Sequence, residues 1–394
     1  MATKDLHVVR SLAPAAGSIA ILLPGLFRRL GEADGESVVL ISDTNPTSCD
    51  HATVTCSSDA HERASLVADA DVIHLHGVGD LQEAIAGMVD GTSTPVILSP
   101  LGALEPDQFD RMGWWKRRRA RHSVRGMINA VDCLAALNDR ELRHLQEWSR
   151  QTPSDVLEYG LDFDDYENLP ADRISLDKAI DRKVMLVLGP IHPVEGLVPL
   201  LYAFGSLIHE LEGWHLVLAG PETGDWRMQL ESTIRRKGGE DRVSFVPDPD
   251  LDDQRSLLAR ASLVVVPALQ VRPTTTVLQA LAAGVPVIAS DRVVPNGLDD
   301  CVATCPPTRD HLAAALRSFL QQSDEQQQAA ARLGREIGRR DYDWSALAPK
   351  YAERYRAVAA GTSSQEGKRQ EARGKSPRRS PLASCLLPLA SCLP

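Results

Sequence analysis

Nowhere in the 394 residues does an apolar run approach the roughly twenty that a membrane-spanning helix requires. A membrane could therefore be touched only from its surface. Zinc spacing is missing as well: the seven cysteines are scattered, and the pair Cys301 and Cys305 has no matching second pair. The odd count, with no signal peptide, points to a reducing cytoplasm. No metal and no cofactor is expected. Positive charge is not in excess either. The net charge of -10 excludes a general nucleic-acid binder and favours solubility.

What the sequence does contain is alternation. Its 43% hydrophobic and 24% charged residues are those of a soluble globular protein, and its length suits two domains. Short, nearly continuous apolar runs, of the kind parallel strands need when both faces are covered, recur in two series. The first comprises Leu6–Leu12, Val38–Ser42, Val72–Gly77, Val96–Pro100, Cys133–Leu137 and Val156–Tyr159. The second comprises Val184–Gly189, His215–Gly220, Val243–Val246, Leu263–Pro267 and Val287–Ser290. Between them lie helical patterns, as in Leu197, Leu200, Leu201, Phe204, Leu207, Ile208 and Leu211, which place one stripe against a sheet. The expected organisation is an α/β domain over residues 1–165, an acidic linker at 166–182 with Pro170 near its start, and a second α/β domain at 183–340. A closing helix at 341–360 and a disordered, low-complexity tail at 361–394 complete it.

Several of these segments carry motifs. The first half holds "DVIHLHG" (Asp71–Gly77), "PVILSPLGALEP" (Pro95–Pro106) and "WWKRRRARHSVRG" (Trp114–Gly126). The second holds "LGPIHPVEGLVPLLYAF" (Leu188–Phe204), "WHLVLAGPETGDWRMQLE" (Trp214–Glu231), "DRVSFV" (Asp241–Val246) and "ALAAGVPVIAS" (Ala280–Ser290). "DYDWSALAPKYAERY" (Asp341–Tyr355) closes the series. Together, from about Leu6 to Ala360, they resemble the group 1 glycosyltransferases (glycosyltransferase family 4). That resemblance implies the GT-B fold, two facing Rossmann-like domains with parallel sheets. It also implies transfer of a sugar from a nucleotide-sugar donor to a glycan or lipid-linked acceptor, as in cell-surface polysaccharide biosynthesis.

The family chemistry needs fixed positive charge and N–H donors where the nucleoside diphosphate leaves. By resemblance these are an Arg and a Lys five positions apart in a turn after a strand, with two Glu eight positions apart. Here Pro190 stands at the Arg position and Glu195 at the Lys position, while Gly189, His192, Pro193 and Gly196 are kept. Val271 and Gln279 replace the two Glu, and Pro273 and Thr274 replace the Phe-Gly that follows the first. The family's glycine pair becomes Gly17 and Ser18, its linker-strand Asn becomes Tyr159, its "SPRG" loses the Arg to Leu101, and an Asp becomes Ser262. The donor-pocket candidates are Gly17, Gly189, Arg272, Thr274 and Gln279; no catalytic residue is assigned. Arg272, with a helix start after it, could form a replacement anion site or be a surface residue on a cap. Glu195 either faces the phosphates or points to solvent. The site predicts impaired catalysis, with an inactive binding or scaffold protein as the alternative.

Two further features stand out. His74 and His76 lie two apart on a strand and share a face, but no third metal ligand is evident, so they read as strand-end residues. Between Arg111 and Arg125, seven basic residues and no acid follow or flank Trp114 and Trp115. This segment suits either adsorption to anionic lipid, at the inner face of a membrane, or a solvated helix face. The chain ends on a tandem "PLASCLL"–"PLASCLP" repeat, which reads as an accretion or as a weak membrane or partner tag.

Overall fold

A computed structural model of the chain describes residues 3–373, apart from 14–16, 33–35, 42–48, 50, 58, 90, 91, 111, 171, 172, 223 and 274, with side chains described to residue 360. It divides into two compact units, the first comprising Met1–Ala16, Leu23–Glu158 and Ala348–Pro394, the second Gly17–Leu22 and Tyr159–Leu347.

The first unit is built on seven parallel strands: β1 (Lys4–Val9), β2 (Glu36–Ile41), β3 (Thr53–Cys56), β4 (Val72–His76), β5 (Val96–Ser99), β6 (Cys133–Ala136) and β7 (Ser154–Val156). Their order is β3-β2-β1-β4-β5-β6-β7. The order reverses between β1 and β4, where His7 is in register with His74. Leu6, Val8, Leu40, Ile73, Leu75 and Leu98 form the core with helical residues such as Ile85, Val124 and Met127. The helix Trp114–Ala130 buries Ala120, Val124, Met127 and Ile128 and turns its basic residues outward.

Six parallel strands form the second unit: β8 (Lys183–Leu188), β9 (Trp214–Gly220), β10 (Val243–Pro247), β11 (Ala261–Val266), β12 (Val287–Ser290) and β13 (Val302–Cys305). Their order is β10-β9-β8-β11-β12-β13, so the reversal falls between β8 and β11. In open α/β sheets ligands bind at the strand ends beside such a reversal. Gly189 follows β8 directly, and the loop carrying Val271 and Arg272 follows β11. Gly196 adopts φ 68°, and a Cβ there would stand 1.9 Å from the Pro267 carbonyl oxygen, so the two loops approach closely only because this residue is glycine.

Two strands lie outside the series read from apolar runs. β3 and β13 are edge strands with burial on fewer positions, so neither shows a continuous apolar run. The chain enters the second unit at Tyr159, and the expected linker is part of that unit, with Tyr166, Leu176 and Ala179 buried. The expected closing helix spans Trp344–Arg373, thirteen residues beyond the expected end, in a stretch whose Gln, Glu, Lys, Arg and Ala are good helix formers. Residues 374–394, including the tandem repeat, lie outside the described residues.

Candidate functional site

At the β8–β11 reversal two loops hold an internal ion pair. Residues Pro193–Glu195 form a 3-10 turn capped by His192, whose Nδ1 accepts from the Val194 N–H at 3.3 Å. The Leu269 N–H donates to the Val194 carbonyl at 2.8 Å and ties the second loop to the turn. This geometry points Glu195 inward, only 3% exposed, where its carboxylate is bridged by Arg272 Nη1. A Cβ on Gly189 would lie 3.0 Å from Glu195 Oε2 and 3.9 Å from Arg272 Nη2, so the pair rests on the glycine. Arg272 is 24% exposed, and desolvation draws its guanidinium down to about 10, still charged at neutral pH.

The remaining candidates are placed differently. Val271 is buried, and Pro190 is half-buried beside Gly189. Gln279 is 1% exposed, and its Nε2 donates to the Tyr166 hydroxyl at 3.0 Å and to Gln254 Oε1 at 3.3 Å. Its amide is thus committed to the protein interior. Thr276 Oγ1 donates to the Leu188 carbonyl at 3.2 Å, which anchors the helix Thr275–Ala282 to β8. Gly17 has φ 93° and open space where a Cβ would stand; its carbonyl accepts from the Ala20 N–H. Thr274 lies outside the described residues. Gln270 Nε2 and Thr275 Oγ1 are buried without a partner among the described residues, so the loop and helix start keep some unused hydrogen-bonding capacity. The structure therefore gathers Gly189, Glu195 and Arg272, while the Gln279 amide nitrogen is engaged by Tyr166 and Gln254.

In the first unit the reversal holds a polar cluster that the sequence reading missed. His7, His74 and His76 are all buried, and one ring nitrogen from each lies within 4.8 Å of the others. His7 was the missing third member; its position in "DLHVV", in register with His74, was the available signal. Nearby, Leu101 takes φ 59° in the loop after β5, and Gly102 N–H donates to Glu141 Oε1 at 2.6 Å. Leu137 N–H donates to Glu141 Oε2 at 2.7 Å, and desolvation outweighs both bonds, raising the carboxyl to about 7.

Residues 182–322 match the sequence profile of the family described as Glycosyl transferases group 1. The matched stretch lies within the second unit. Among curated relatives, the chain is 26% identical over 171 residues to D-inositol 3-phosphate glycosyltransferase of Mycobacterium tuberculosis, a match covering 42% of this chain and 35% of the relative. The match thus spans about a third of the curated relative's length. Among solved structures, sucrose-phosphate synthase from Thermosynechococcus elongatus superposes with a TM-score of 0.71 at 17% identity, covering 91% of this chain and all (100%) of that one. HepE from Anabaena, solved with UDP and glucose, gives 0.70 at 16% identity over 90% of this chain and 100% of that one. The fold is GT-B, with two parallel-sheet α/β domains, as the resemblance implied. Glu195, expected from the resemblance at a Lys position, is paired with Arg272, which follows Val271 directly.

Proposed function

We propose that the chain descends from enzymes transferring a sugar from a nucleotide-sugar donor to a glycan or lipid-linked acceptor, as in polysaccharide assembly, and that its own transfer is impaired. The observation that carries this reading is the buried Glu195–Arg272 pair against Gly189. Two charge-assisted hydrogen bonds expected from the family's Arg and Lys, each about 1.5–3 kcal/mol, are absent at Pro190 and Glu195. The Glu195 carboxylate adds a repulsion that its bridge to Arg272 partly offsets. The two lost bonds alone correspond to a loss of roughly two to four decades in donor affinity. UDP-glucose is the first donor to test, because related folds were solved with UDP and with UDP-glucose. The assay is release of nucleotide from UDP-glucose, GDP-mannose and ADP-glucose by the full chain. The expected result is none above solvent hydrolysis; turnover in the usual range of about 1–1,000 per second would overturn the reading.

A second reading, a binding or scaffold protein without catalysis, is favoured by the helix Trp114–Ala130. Trp114 and Trp115 are 61% and 75% exposed and pack edge to face. Behind them Lys116, Arg118, Arg119 and Arg125 are exposed, while Arg117 pairs with Asp110 and Arg121 lies over Phe109 and Trp148. Apolar rings rimmed by free cations suit the surface of an anionic membrane. No helix among the described residues is long and apolar enough to cross one.

A further inference from the structure

We propose that His7, His74 and His76 form a site for one borderline divalent metal ion, Zn(II), inside the first unit. The fold creates the site: parallel pairing sets His7 on β1 opposite His74 on β4, and His76 follows two residues later on the same face. The rings of His74 and His76 stack at 4.0 Å, and those of His7 and His76 at 5.1 Å. All three imidazoles are buried together with Asp5, Ser37 and Ser99, where polar rings are costly unless partnered.

The surroundings are those of a ligand set. Metal-bound histidines generally give their second ring nitrogen to a carboxylate or similar acceptor. His7 Nε2 lies 2.8 Å from Asp5 Oδ2, which also accepts from Ser37 Oγ at 2.7 Å. This leaves His7 Nδ1 facing His76 Nε2 at 2.8 Å. His74 has hydroxyls on both sides, Ser99 Oγ at 2.8 Å and Tyr355 Oη at 2.9 Å, and would release one to turn a lone pair toward the ion. Tetrahedral Zn–N bonds of about 2.0–2.1 Å put ligand nitrogens roughly 3.3 Å apart. The 2.8 Å contact must open slightly and the widest separation, up to 4.8 Å, must close, both within reach of side-chain rotation. The proton shared by His7 and His76 leaves as the metal enters.

One observation reinforces the geometry. Asp5 is 1% exposed and its Oδ1 has no partner among the described residues, so a buried carboxylate awaits a positive neighbour.

The test uses the full chain with any affinity tag removed, stripped with chelator, exposed to zinc and passed through gel filtration. Elemental analysis is expected to give about one zinc per chain, with a raised Tm. Co(II) in place of zinc should give visible d–d absorption without the intense near-ultraviolet band of thiolate ligation. The His7→Gln and His76→Gln variants should lose both the metal and the Tm rise. Substoichiometric zinc, a thiolate band from one of the cysteines, or an equal Tm rise in folded His7→Gln would each overturn the site. The cobalt spectrum of the unsubstituted chain keeps the test decisive if the variants fail to fold.

Discussion

Replacing Glu195 by Ala separates the two roles assigned to its carboxylate. In the folded chain that group is 3% exposed and bridged to Arg272, so its loss leaves a guanidinium uncompensated. Breaking a fully buried pair costs about 3–5 kcal/mol; Arg272 keeps 24% of its side-chain surface in contact with solvent, so about 2–3 kcal/mol is expected here. The same substitution removes the anion that repels a phosphate and frees Arg272 beside Gly189. One released charge-assisted bond, about 1.5–3 kcal/mol, corresponds to roughly 10- to 150-fold tighter UDP binding. Urea unfolding would measure the first effect and calorimetric titration with UDP the second. The isosteric Glu195→Gln should move affinity in the same direction with a smaller stability loss, and the added Arg272→Ala should abolish the gain. If folded Glu195→Ala binds UDP no better than the parent, or if Arg272→Ala retains the gain, the pair does not occupy a phosphate position.

Other consequences are open to direct measurement. Desolvation lowers His215 to about 4, and His74 and His76 well below the usual value, so the unfolded chain binds more protons than the folded one below about pH 6.5. Their contribution is fully present above that pH and is lost as pH falls, whereas Glu141, raised to about 7, favours folding as pH falls through the same window. The three histidines outweigh the raised carboxyls of Glu83, Glu105 and Glu141 in this window, so denaturant unfolding should show stability falling from about pH 6.5 to 5.5; a flat profile would contradict the assignment. Gly196→Ala forces a Cβ into the Pro267 carbonyl at φ 68° and should cost roughly 3 kcal/mol or more, read as a lowered urea midpoint. Trp114→Ser with Trp115→Ser should reduce co-sedimentation with vesicles containing phosphatidylserine while leaving Tm within about 2 °C; no sedimentation of the parent at low salt would remove the membrane reading.

Much of the fold could be read from the chain because buried parallel strands write themselves as apolar runs. Leu6–Val9, Val72–His76, Val184–Leu188 and Val287–Ser290 all behave this way. β3 and β13 did not, since an edge strand needs burial only at some positions. The sites were less legible for a different reason. Glu195 and Arg272 are 77 positions apart, and nothing local to Glu195 distinguishes a solvent-facing carboxylate from one folded back onto an arginine. Arg272 was noticed as a possible anion ligand, yet its partner depends on the close loop approach allowed by Gly196. His7 was overlooked because "DLHVV" reads as an ordinary strand, and only the adjacency of β1 and β4 brings it to His74. Gln279 looked suited to a ribose hydroxyl, but tertiary contacts with Tyr166 and Gln254 consume its donors.

Calorimetric titration of the unsubstituted full chain with UDP and UDP-glucose measures whether the Glu195–Arg272 pair excludes the donor phosphates. With that pair in place, no saturable heat is expected up to millimolar nucleotide, a free energy weaker than about -4 kcal/mol. Saturable one-to-one binding at micromolar concentration, unaffected by Arg272→Ala, would contradict it.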